Sequence, residues 1–186
     1  ASAAGVEALQ TATDDHSVRC IVLRGEGEHF CAGGDLDALR ARRELGDADG
    51  RAAQQQAVTQ LGAFVAALRS CPKPVIAAVE GAAAGAGASL ALACDLIVAA
   101  DDARFVMSYG RIGLTPDGGA SWQLARQLPR ALALQALWLA EPMSAAQWQQ
   151  WGLVNLVVRR GEALAQALGL AARLAAMSPQ ALAGAK

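Results

Sequence analysis

Two segments of the chain combine an apolar run, a turn of very small residues and the start of a helix. The first, residues 20–36, carries Ala32, Gly33 and Gly34 in its turn; the second, residues 75–90, carries Gly85, Ala86 and Gly87. Such a turn leaves backbone N–H groups without partners at the positive end of a helix. Those groups suit an anion, or an oxygen that becomes negative during a reaction. Either turn alone reads as glycine that permits a tight bend. Together they can aim two donors at one oxygen. A competing reading makes Gly85-Ala-Gly87-Ala-Ser-Leu90 the phosphate loop of a dinucleotide fold. The third glycine position there is Leu90 and the segment lies mid-chain, so that reading is the weaker.

The side chains that can move protons are few. Asp117 stands in Gly113-Leu-Thr-Pro-Asp-Gly-Gly119, where a carboxylate serves either as an acid/base group or as the cap of the following helix. Asp35 reads as a helix-start residue, Asp95 as structural, Glu80 as a cap or ion-pair partner, and His29 as a loop residue. Cys31 reads as packing. Of the four tryptophans, Trp122 is the best candidate for a pocket wall. Cys20, Cys31, Cys71 and Cys94 are far apart, with no C-x-x-C pair and only 2 histidines. No metal site is expected, and the four cysteines read as reduced thiols of a cytoplasmic protein.

The elements that must hold these residues alternate. Short β-branched runs at 18–23, 74–79, 96–100, 103–106 and 154–158 read as strands. Helices are expected at 2–13, 36–43, 51–69, 88–93, 119–127, 130–140, 145–150 and 162–177, with another restarting after Ser178-Pro179. Residues 45–50 and 81–87 read as loops, and 109–119 as irregular. The alternation is that of an α/β fold. The chain has 186 residues, 54% hydrophobic and 18% charged, with 16 basic against 17 acidic side chains. That composition excludes disorder and gives no electrostatic footprint for nucleic acid or an anionic membrane. No uncharged stretch is long enough for a membrane span. About a quarter of the chain is alanine, 19 residues are glycine, and only 4% are aromatic, so the apolar excess lies in small side chains.

Four segments, in order, carry a resemblance. Phe30-Cys-Ala-Gly-Gly-Asp-Leu36 resembles the F-x-A-G-x-D-L segment of the crotonase superfamily of enoyl-CoA hydratases and isomerases. Pro72-Lys-Pro-Val-Ile-Ala-Ala-Val-Glu-Gly-Ala-Ala-Ala-Gly-Ala-Gly-Ala-Ser-Leu-Ala-Leu-Ala-Cys-Asp95 resembles its second signature. Ile112-Gly-Leu-Thr-Pro-Asp-Gly-Gly119 and Trp151-Gly-Leu-Val-Asn155 resemble the third and a later strand entry. The resemblance implies a spiral of ββα units that binds acyl-CoA thioesters. It places the thioester oxygen against the Gly34 and Ala86 N–H groups, and turns the Ala32 carbonyl toward the adenine end of CoA. It makes Ala32, Gly33, Gly85, Ser89, Tyr109 and Trp122 substrate-binding; Arg24 and Lys73, as cations, are separate candidates for the CoA phosphates, which nothing in their spacing requires. CoA is part of the substrate, and no separate cofactor is implied.

Hydratases of this family use two glutamates, and at those positions this chain has Ser89 and Tyr109. Asp117 stands where family isomerases carry an aspartate that shifts protons along the acyl chain. The resemblance therefore favours double-bond isomerisation, with Asp117, Gly34 and Ala86 catalytic. The alternatives are a hydratase or ring-opening hydrolase, and a non-catalytic acyl-CoA binder. The same resemblance divides the chain into a spiral core, 1–160, and the start of a helical trimerisation segment, 161–186. It implies a homotrimer or hexamer, an N-terminal hairpin before residue 1, and a helical continuation after Lys186.

Overall fold

In the computed structural model, which describes residues 2–186, four of the apolar runs form one parallel sheet. Its strands are β1 (Ile21–Arg24), β2 (Val75–Val79), β4 (Leu96–Ala100) and β7 (Leu156–Val158), in the order β1-β2-β4-β7. Every residue of β2 is buried, which is why its sequence is a continuous apolar run rather than an alternating one. A second, smaller sheet holds β3 (Ala82–Ala84), β5 (Arg104–Val106) and β6 (Met143–Ser144), with β3 parallel and β6 antiparallel to β5.

The chain moves between the sheets in a repeating way. β2 leads to β3 in the other sheet and then to helix α4 (Ala86–Ala93); β4 leads to β5 and then to α5 (Ala120–Gln127). This is the expected spiral of ββα units. The remaining helices are α1 (Ser2–Asp14), α2 (Leu36–Glu44), α3 (Asp47–Ser70), α6 (Arg130–Leu139), α7 (Ala145–Gln150), α8 (Ala163–Ala175) and α9 (Pro179–Ala185), and a 3₁₀ turn covers Ser108–Ile112. No described helix is long and apolar enough to cross a membrane.

Local chemistry explains where the helices stop and start. The Asp35 carboxylate accepts the Asp37 and Ala38 N–H groups and so caps α2. Ser144 and Gln147 form a reciprocal capping box on α7. Residues 47–50, expected in a loop, are the first turn of α3; Asp47 and Asp49 lie there, where negative charge is favourable. Segment 81–87, also expected as a loop, contains β3 and the first two residues of α4, because backbone pairing with β5 and with Cys31 organises it. The two-residue β6 was too short to leave a periodic signal.

Two apolar clusters stabilise the fold. The larger lies among both sheets and helices α3 to α7, with Trp148 stacked on Phe105 at 3.9 Å between ring centroids. The smaller covers one face of the parallel sheet, where Ala163, Ala167 and Ala171 of α8 pack on Ile76, Ala78 and Val98. Alanines at i, i+4 and i+8 form one flat helix stripe, which lets α8 approach the sheet closely. The four cysteines are free, and burial pushes the Cys94 thiol up to about 12, so it stays protonated. Trp148 is fully buried; Trp148→Ala is expected to cost about 3–5 kcal/mol. Urea unfolding checks this, and a loss below about 1 kcal/mol would contradict the assigned core.

Candidate active site

A single backbone bridge places the two small-residue turns side by side. Cys31 pairs in parallel with Ala83: the Cys31 N–H donates to the Ala82 carbonyl at 3.0 Å, and the Ala84 N–H donates to the Cys31 carbonyl at 2.9 Å. The Phe30 N–H donates to the Glu80 carbonyl one step earlier, at 2.9 Å. Both chains leave this bridge in the same direction, and three residues further on they reach Gly34 and Ala86. Among the described residues neither of those N–H groups donates to another group of the fold. Ala86 is the first residue of α4, so its N–H lies at the positive end of the helix.

The approach requires glycine. Gly33 has φ +107°, and a β-carbon there would stand 3.0 Å from the Ala84 carbonyl oxygen. A β-carbon at Gly87 would overlap the Cys31 carbonyl oxygen and Cβ. Gly87 therefore lets α4 rest directly on the first turn.

Three side chains from separate segments meet at the start of α4. The Tyr109 hydroxyl donates to Asp117 Oδ1 at 2.8 Å, and Ser89 Oγ lies 2.8 Å from the same phenol oxygen. Ser89 Oγ also lies 3.2 Å from the Gly85 carbonyl and 3.2 Å from the Asp117 carbonyl. With the Tyr109 proton on Asp117, the single Ser89 proton goes to the phenol oxygen, so Ser89, on α4, is joined to Asp117 through Tyr109. Ser89 is fully buried, Tyr109 nearly so, and Asp117 is half-buried. Burial, and after it the Asp117 charge, push the Tyr109 phenol well above its ordinary value near 10, against the hydrogen bond from Ser89. Tyr109 therefore remains a protonated donor at neutral pH. Asp117 does not cap α5: the N-cap is Gly119, and no side chain bonds there.

A sequence profile described as Enoyl-CoA hydratase/isomerase matches residues 3–186. The chain belongs to the enoyl-CoA hydratase/isomerase family. It is 40% identical to an Escherichia coli (strain K12) protein named 1,2-epoxyphenylacetyl-CoA isomerase, over 82% of this chain and 57% of that protein. It is 38% identical to a Proteus mirabilis protein named carnitinyl-CoA dehydratase, over 93% of this chain and 64% of that protein. A crystal structure titled as an enoyl-CoA hydratase from Polaromonas sp. JS666 superposes with a TM-score of 0.93 at 52% identity, covering 98% of this chain and 69% of the other. The chain thus spans about 57–64% of the length of these two curated relatives. Their names include both an isomerase and a dehydratase.

Within the enoyl-CoA hydratase/isomerase fold, the other candidates are placed as follows. Ala32, Gly33 and Gly85 lie in the two paired turns. Trp122 is on α5, half-exposed, with the guanidinium groups of Arg69 and Arg126 at 4.4 and 4.5 Å from its ring centroid. It is brought to two cations rather than to the Asp117 cluster. Lys73 Nζ donates to the Ala12 and Asp15 carbonyls at 2.6 and 2.7 Å; it ties down the end of α1 and is not free for a phosphate. Glu80 accepts the Gly161 and Ala163 N–H groups ahead of α8. His29 Nδ1 accepts from the Ala82 N–H. Asp95 accepts the Val75 N–H and pairs with Lys186. Among the described residues no group of His, Cys, Asp or Glu could hold a metal ion. What sequence reasoning missed is the Ser89–Tyr109 bond: two hydroxyls twenty residues apart carry no spacing signature.

The phenol gives a pH test. In the unfolded chain Tyr109 ionises near its ordinary value, and in the fold it resists ionisation. Its contribution to stability is therefore complete below about pH 10 and is lost as pH rises further. Between pH 8 and pH 11, Tyr109→Phe is expected to lose less stability than wild type in urea unfolding. Equal losses in the two proteins would refute the assigned environment.

Proposed function

We propose that this chain is the core of an acyl-CoA isomerase, in which Asp117 shifts a proton between carbons of the acyl group. The observation that carries the reading is the position of Asp117. Ser89 and Tyr109 join it to the start of α4, beside the paired turns, and leave it the carboxylate of that cluster. The Gly34 and Ala86 N–H groups take the thioester oxygen. Withdrawing electrons through that carbonyl acidifies the adjacent carbon, and in an enone the more distant one as well. Asp117 removes a proton there, and negative charge spreads onto the thioester oxygen as a dienolate. The two N–H donors stabilise that charge; one such donor is worth about 10²–10³ in rate. The protonated Asp117 then returns its proton to another carbon of the dienolate, and the double bond has moved. Proton and electron pair balance without a second acid or base.

Hydration needs a group to activate water as well as a proton donor. Ser89 and Tyr109, at the two glutamate positions of family hydratases, are bonded to each other, and the Tyr109 proton is held by Asp117. This supports isomerisation over the hydratase and hydrolase alternatives. In the same reading, the Ala32 carbonyl meets the adenine end of CoA, and Tyr109 and Gly85 border the acyl group. Assembly into a trimer or hexamer belongs to the proposal too. Trp138 and Leu139 at the end of α6 are 73% and 55% exposed, more apolar surface than an isolated helix end needs.

Two substitutions test the chemistry. Asp117→Asn is expected to lower turnover of an enoyl-CoA by about 10²–10⁴ while acyl-CoA affinity persists. Undiminished turnover would end the Asp117 mechanism, and a wild type that binds acyl-CoA but converts none would favour the binder. Tyr109→Phe keeps the ring and removes the bond that holds Asp117 Oδ1. Because small misplacements of a catalytic group cost about 10²-fold, kcat is expected to fall by that order with KM little changed. A rise in KM at constant kcat would leave Tyr109 only its place beside the acyl group and no part in holding Asp117.

A further inference from the structure

We propose that the cavity between α2 and α3 binds a carboxylate at the far end of the acyl group, so that the chain favours dicarboxylic acyl-CoA esters. The inference rests on the acyl-CoA reading above. The cavity has a volume of about 370 Å³, and Arg42, Arg43 and Arg51 line it with Asp47 as the one carboxylate among its lining residues. Three guanidinium groups against one carboxylate leave the lining positive. Among the described residues none of the three arginines forms an ion pair. Arg42 donates to the Gln54 side-chain oxygen at 3.0 Å, and Arg43 reaches the Ile112 carbonyl at 3.5 Å.

Helix electrostatics account for only part of this. Arg42 and Arg43 lie in the last turn of α2, where cations are favourable. Arg51 is in the second turn of α3, near the positive end of its helix, and gains nothing from it. Its side chain lines a cavity that already holds two like charges, within the range over which exposed charges still interact. An anion in the cavity relieves that repulsion. Guanidinium groups favour a carboxylate because they can meet both of its oxygens.

The place of the cavity selects the source of the anion. Leu114 forms part of its wall, and Asp117 follows three residues later. Even a fully extended chain spans no more than about 11 Å over three residues. That wall is therefore near Asp117, and in the acyl-CoA reading the acyl group lies on the Asp117 side of the thioester. The CoA phosphates lie beyond the sulfur, at the other end of the pantetheine arm.

The test compares two unreactive esters on the full-length protein by titration calorimetry. Hexanoyl-CoA and adipoyl-CoA differ only in the terminal carboxylate. Wild type is expected to bind adipoyl-CoA about tenfold or more tightly than hexanoyl-CoA, and Arg51→Gln and the double variant Arg43→Gln/Arg51→Gln to bind the two esters alike. Equal affinities in wild type, or a preference that survives in the double variant, overturn the proposal. So does a double variant that loses affinity for both esters and for CoA itself in equal measure, which would assign the arginines to a CoA phosphate. If hexanoyl-CoA binds and adipoyl-CoA gains nothing, this inference fails alone. If neither ester binds, the acyl-CoA reading fails and takes the inference with it.

Discussion

The paired backbone bonds between Cys31 and its neighbours Ala82 and Ala84 are the constraint on which the candidate site depends. Each small-residue turn is an ordinary way to pass from an apolar strand to a helix. The bridge makes them a pair by fixing two chains in parallel three residues before each free N–H. A backbone bridge is well suited to this. Its geometry is set by peptide planarity and hydrogen-bond direction rather than by side-chain rotamers, so the two donors are positioned before any ligand arrives. The glycines follow from the same constraint. Gly87 has no β-carbon because Cys31 occupies that space, and Gly33 adopts φ +107° because the chain must bend there past Ala84.

Asp117 is positioned by a different kind of interaction. It lies in a segment with little regular structure, between the 3₁₀ turn and α5, and among the described residues no cap or ion pair holds its carboxylate. Tyr109 does so instead, and burial keeps the phenol protonated and hence a donor. One carboxylate oxygen is thereby engaged. Ser89 lies on α4, the helix that the donor turn opens, and so carries the link back to that turn. Site and support are one hydrogen-bonded unit, in which each hydroxyl fixes the next.

Much of this was legible in the sequence, for identifiable reasons. The two turns were visible because glycine and alanine at the end of an apolar run have few other uses, and Asp117 stood out as a carboxylate inside a glycine-rich segment. The fold class followed from the alternation of strands and helices. The errors have equally physical causes. Residues 47–50 looked like a loop because Gly46 and Gly50 bracket polar residues, whereas Asp47 and Asp49 are there to favour a helix start. Segment 81–87 looked irregular because the pairing that makes β3 a strand comes from residues fifty positions earlier and twenty later. Trp122, the tryptophan expected at a pocket wall, is covered by two arginines that come from α3 and from its own helix, a pairing with no sequence signature. Lys73, a candidate phosphate contact in the sequence, instead satisfies the carbonyls of Ala12 and Asp15, which are far away in sequence.

The departures at positions 89 and 109 belong together. Taken singly, a serine and a tyrosine in place of two carboxylates would be two losses of function. In the fold, Ser89 is fully buried against Gly118, where an added β-carbon would come within 2.9 Å of the Ser89 Cβ. The close packing of Ser89 against this segment therefore requires glycine at 118. Tyr109 fills the neighbouring space with its ring and answers the serine hydroxyl with its own. A carboxylate at either position would be buried close to Asp117, and two such charges disfavour each other's ionisation. The pair of hydroxyls avoids that repulsion and spends its one directed proton on Asp117. Ser89, Tyr109, Asp117 and Gly118 are therefore a single solution, which trades two carboxylates for one that is held in place.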